Sequence, residues 1–243
     1  MHRDPPELSK SEPATLIESF RSLVEFWRSL DLEQPLQGDD GFSRTPDTEY
    51  LDQSPIGFRK FWMIAQSFPD AGLVGNGDEL LCGRDSNYSW FDEGYIHLTE
   101  DTIASTIVGA RSLEGRWGIT RLSSGGIEDS ELSVEEYLVS FGLLQLCEEP
   151  RKFNGSWVQA NNLAKISSFL QPGSRCIWEA DLWDKHLGVY FHDRGILWCL
   201  FGTEICVSAR SSDAFRWFDE NWWCEKPTEP TSLGLPMPDP PGS

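Results

Sequence analysis

A chain of 243 residues with 39% apolar and 12% aromatic residues has enough material to close a core, so global disorder is excluded. Its formal net charge is −19, which argues against nucleic acid and anionic membranes as partners, because each phosphate contact needs a cation. That charge divides as −6 over residues 1–70, −11 over 71–150 and −2 over 151–243, so the middle third carries most of it.

The first dozen residues are polar and proline-rich and read as a loose end, with no apolar stretch of a secretory leader after Met1-His2-Arg3-Asp4-Pro5-Pro6. Residence in the cytoplasm is therefore expected. Ser11-Glu12-Pro13 opens a helix whose Leu16, Ile17, Phe20, Leu23, Val24, Trp27 and Leu30 recur at spacings of three and four. Residues 33–52 show no period and read as a long loop. A second helix starts at Ser54-Pro55, carries Ile56, Phe58, Phe61, Trp62 and Ala65, and ends near Phe68-Pro69.

Residues 70–93 are loop-rich and acidic, and Gly94 to Leu98 alternates like a strand. Thr102 to Ala110 is β-branched and apolar, Arg116 to Thr120 is a further short strand, and Gly125-Gly126 breaks the chain. Ser133 and Glu136 form a capping-box pattern ahead of a third helix with Val134, Tyr137, Leu138, Phe141, Leu144 and Leu146 on its apolar face. Glu148 to Lys152 reads as a junction. Beyond it, Gly188 to Phe191, a His192-Asp193-Arg194-Gly195 turn and Ile196 to Phe201 predict a β-hairpin, and Glu204 to Ala209 a third strand. Ser212-Asp213 caps a last helix carrying Ala214, Phe215, Trp217, Phe218, Trp222 and Trp223, and residues 227–243 form a proline-rich tail.

Catalytic patterns are scarce. Four histidines (His2, His97, His186, His192) fall on a tail, a strand and loops without metal-ligand spacing, so neither a metal nor another cofactor is expected. Gly72, Gly75 and Gly77 lack the strand and lysine of a phosphate loop, and no nucleophile elbow is present. Six cysteines lie mostly beside apolar residues with no C-x-x-C pair, which predicts reduced, buried thiols. Among the tryptophans, Trp62, Trp117, Trp198 and Trp217 are expected in the core, whereas Tyr88 and Trp90 sit in a polar loop where an exposed ring would anchor a partner. The adjacent acids Asp78-Glu79, Asp92-Glu93 and Glu100-Asp101 read as a solvated acidic face, since neighbours on a strand point to opposite sides.

The order of segments in residues 51–149 then carries a resemblance. Pro55-Ile56-Gly57-Phe58-Arg59-Lys60-Phe61-Trp62 starts a helix and a loop ends in Asn76-Gly77-Asp78-Glu79-Leu80-Leu81. A Gly94-to-Glu100 strand, a Trp117-Gly118-Ile119 strand and a Glu131-to-Leu138 helix running into Leu146-Cys147-Glu148 follow. This order resembles the SUKH superfamily, with Ser54-Pro55 in place of a Leu-Pro and Glu100-Asp101-Thr102 in place of a Glu-Asn-Gln turn. The resemblance implies an α+β domain without enzymatic activity and, for its bacterial immunity branch, occlusion of a toxin that is often a basic nuclease.

The expectation is an α+β fold with a central, mostly antiparallel sheet flanked by helices and a smaller hairpin-plus-helix C-terminal part. Its boundaries run 1–12 for a loose end, 13–149 for the main domain, 150–226 for an extension and 227–243 for the tail. The expected activity is binding of a basic protein toxin by a monomer, with Asp78, Glu79, Tyr88, Trp90, Asp92, Glu93, Glu100 and Asp101 as contact residues and support from acids in 128–136. A regulatory scaffold working through the tail, and a hydrolase using a carboxylate pair such as Glu100 and Asp101, are the rival readings.

Overall fold

In the computed structural model, residues 4–10, 13–30, 48–73, 78–80, 95–101, 106–113, 116–123, 126–148 and 163–222 are described. The helices are α1 (Pro13–Ser29), α2 (Thr48–Gln53), α3 (Ile56–Ser67), α4 (Val134–Glu148), α5 (Leu163–Leu170) and α6 (Ser212–Trp222). The strands are β1 (Asp78–Leu80), β2 (Tyr95–Asp101), β3 (Thr106–Leu113), β4 (Arg116–Ser123) and β5 (Gly126–Ser130), followed by β6 (Ser174–Leu182), β7 (Lys185–His192), β8 (Ile196–Phe201) and β9 (Glu204–Ala209). Strands β1 to β5 form one antiparallel sheet in sequential order, and β6 to β9 form a second. The fold is α+β, with two meanders and helices between and beside them.

Helix α4 joins the two sheets. It packs on α1 and α3 and also against β4, β6, β8 and β9. Its predicted apolar face is buried except for half-buried Leu144, but Val139, Ser140, Leu143, Gln145 and Cys147 are buried too. A helix with sheets on both sides cannot leave a polar face to water, which is why Leu, Val and Phe go all the way round it. The two polar intruders need partners. Ser140 Oγ donates to the Glu136 carbonyl at 2.8 Å and accepts from Trp178 Nε1 of β6 at 2.8 Å. Where α4 meets α1 and α3, Gly142 permits the approach, since a Cβ there would lie 2.5 Å from Phe20 Cζ and 2.9 Å from Phe61 Cε2.

The start of α4 is fixed by its capping box. Glu136 N–H donates to Ser133 Oγ at 3.2 Å, and Ser133 N–H donates back to Glu136 Oε2 at 2.9 Å. Helix α3 begins after Pro55, whose fixed backbone suits a helix start, and ends with Phe68 N–H on the Ile64 carbonyl.

The unbroken apolar run Ile196–Phe201 is explained by its position in the second sheet, which is covered on both faces. Leu197 and Cys199 face the core shared with α1 and α4, whereas Ile196 and Trp198 join Leu170, Ile205, Val207, Ala214 and Phe218 beneath α5 and α6. Strand β6 was not foreseen, although Trp178, Ala180 and Leu182 are buried and alternate with exposed Glu179 and Asp181. Its pairing with β7 also draws His186 and His192 out of the predicted loops and into a strand. Helix α5 and strand β5 were likewise unforeseen, and α2 falls at the end of the stretch read as loop.

Candidate functional site

Four of the eight acidic or aromatic residues singled out from the sequence fall on β1 and β2, at the edge of the five-stranded sheet. The register sets Asp78 opposite Asp101 and Glu79 opposite Glu100. Directly opposed positions share a face of the sheet with Cβ atoms about 5 Å apart, so each pairing places like charges together. Consecutive positions alternate, so Glu100 and Asp101 stand at positions of opposite faces of the sheet. Tyr88, Trp90, Asp92 and Glu93 lie outside the described residues.

The acids of 128–136 are not continuous with this edge, contrary to expectation. They lie on and beyond β5, four strand spacings or about 19 Å across the sheet from β1. Some of them are engaged within the chain: Glu128 is ion-paired with Arg121, and Asp129 accepts from Thr120 Oγ1 at 2.7 Å and pairs with Arg111 at 3.4 Å. Glu136 is held by the capping box. Spacing along the chain could not reveal this, because the strand order separates residues that the sequence places near one another.

Between the sheets lies a cluster with no signal in the sequence. Trp183 begins the β6–β7 turn with φ 56°, a conformation that costs a bulky side chain energy. Its ring meets Tyr137 edge-on at 6.0 Å, and the Arg121 guanidinium lies 4.7 Å over it. Tyr137 in turn shares a short hydrogen bond with Thr99 of β2, so one chain of contacts runs from the acidic β2 through α4 to the second sheet.

Two clefts open on the second sheet. One, of about 640 Å³, lies between residues 5–10 and the outer edge of β6. Cys176, exposed on that edge, has its thiol held above the usual range by partial burial and then by the Glu179 carboxylate, so it is a poor nucleophile. The described thiols Cys147, Cys199 and Cys206 form no disulfide and are buried, as expected. The other cleft, of about 570 Å³, is bordered by His192, Arg194 and the start of α6. There Arg194 N–H donates to His192 Nδ1 at 3.1 Å, which leaves Nε2 to donate to the Pro172 carbonyl at 3.1 Å. Burial lowers the His192 pKa, the imidazole is neutral, and both its nitrogens are committed to structure.

Trp62 and Trp198 are buried, and Trp117 and Trp217 are half-buried against the two cores. Among the described residues no cluster of three or more His, Cys, Asp or Glu could hold a metal ion, and no helix is long and apolar enough to cross a membrane. Comparison of the chain with protein-family models, curated proteins and solved structures finds no match.

Proposed function

We propose that the protein works by binding a basic macromolecule at the β1–β2 edge, in the manner of a SUKH-type immunity protein that occludes a cationic toxin. The observation that carries this reading is the register of two consecutive like-charged pairs, Asp78 with Asp101 and Glu79 with Glu100. Opposed like charges destabilise an antiparallel ribbon. A cationic partner converts that repulsion into attraction, and β1 is an outer strand of its sheet. The −11 carried by residues 71–150 extends the field and speeds encounter with a basic surface.

The test uses Glu79→Gln together with Glu100→Gln. The free double variant should gain a few tenths of a kcal/mol of stability as the repulsion goes. It should also lose about tenfold or more in affinity for a cationic polypeptide probe such as polylysine. Unchanged affinity with intact folding would rule the reading out.

A further inference from the structure

Residues 4–10 are fastened to β6 and the core beside it by four different kinds of contact. The Asp4 carboxylate lies 3.3 Å from the Arg175 guanidinium, and the neighbouring Pro5 carbonyl accepts from Arg175 Nη2 at 3.3 Å. Leu8 is buried against the shared core, and Lys10 Nζ sits 5.0 Å over the Trp178 ring. Proline suits this place. Strand β6 is an outer strand of its sheet with a bulge between Cys176 and Trp178, and a proline-rich segment lies along such an edge without needing to donate ladder hydrogen bonds. The segment does not fill the site, because the cleft of about 640 Å³ bordered by Pro5, Pro6, Lys10, Arg175, Cys176 and Glu179 stays open beside it.

The tripeptide that makes the Arg175 contacts, Asp4-Pro5-Pro6, occurs a second time in the chain, as Asp239-Pro240-Pro241. We infer that the Arg175 edge of β6 is a receptor for Asp-Pro-Pro segments, and that its second occupant is the chain's own Asp239-Pro240-Pro241. A carboxylate one residue ahead of a proline carbonyl is the pattern a single guanidinium reads, one N–H to each. The following prolines restrict the segment before it binds, so little conformational freedom is lost on docking. Reach is not limiting. About 17 residues separate the end of α6 at Trp222 from Asp239, and such a length spans up to about 55 Å, more than the width of a domain this size. The two occupants compete for Arg175, so release of residues 4–10 and docking of the tail are one equilibrium. This inference is independent of the β1–β2 binding reading, because β6 belongs to the other sheet.

The experiment uses the full chain with a benzoyl-phenylalanine photo-crosslinker placed at Met237, and the products are mapped by mass spectrometry. Crosslinks should fall on residues 175–179, either within one chain or between two copies, which the monomer and dimer bands separate. Asp4→Asn should raise their yield about fivefold, the most that loss of a solvent-exposed ion pair supplies. Arg175→Gln, which removes both contacts, should abolish them, and Asp239→Asn in the tail should cut their yield about fivefold. Crosslinks that map elsewhere, or a yield indifferent to Asp4→Asn and Asp239→Asn, would overturn the inference.

Discussion

At the scale of single residues, the structure concentrates cost at a few positions. Trp183 holds a backbone conformation that suits glycine, and its ring packs on Tyr137 and beneath Arg121. Backbone strain and ring packing therefore oppose each other at one site. Trp183→Ala loses the packing and keeps the strain, whereas Trp183→Gly loses the packing and relieves the strain. Urea unfolding should show the glycine variant more stable than the alanine variant by about 1 kcal/mol, the reverse of the usual order. A second residue-scale effect belongs to His97, which burial on β2 lowers to a pKa of about 4 from an ordinary 6.5. The unfolded chain takes up this proton near pH 6.5 and the native state only near pH 4. The contribution of neutral His97 is thus complete above pH 6.5 and is lost as pH falls toward 4. Stability should drop by on the order of 2 kcal/mol across that window from this group, with His192 adding in the same direction. A His97→Gln variant should show a correspondingly flatter pH profile in denaturant titrations. Neither effect was legible in the sequence, because a turn tryptophan and a strand histidine look ordinary until burial and φ are known.

At the scale of elements, the legible features were those written locally. Pro55 and the spacing of Phe58, Phe61 and Trp62 gave α3 within a residue or two, and Ser133 with Glu136 gave the start of α4. Ser133→Ala removes one half of that capping box and should destabilise the protein by about 1 kcal/mol. The corresponding fall in melting temperature is about 2–4 °C. What stayed hidden depended on neighbours. The spacing of the apolar residues of α4 predicts one buried face because a helix between two sheets and a helix on one sheet share their first-turn signals, and only packing distinguishes them. Strand β6 was hidden differently. Its alternation of Trp178, Ala180 and Leu182 with acids was present in the sequence, but a residue-long bulge shifts the pattern before it, and the outward Cys176 and Arg175 supply no apolar signal. The same edge position that blurred the strand is what exposes Arg175 to Asp4 and Pro5.

At the scale of the whole molecule, an α+β fold was readable, and so was the weighting of charge toward residues 71–150. The arrangement of that charge was not. Register brings Asp78 to Asp101 and Glu79 to Glu100 from positions more than 20 residues apart, while strand order sends Glu128 and Asp129 to the far edge beside Arg121 and Arg111. Acids that lie near one another along the chain thereby separate onto two edges of one sheet, with Glu128 and Asp129 ion-paired at the β5 edge. On the proposed function, the β1–β2 edge captures a basic partner through long-range attraction. Stopped-flow association with a cationic polypeptide probe such as polylysine, followed from about 50 to 150 mM salt, tests it directly. The association rate constant should fall about tenfold over that range while dissociation changes little, as expected of steering between opposite charges. An association rate constant that stays level across the range would contradict it.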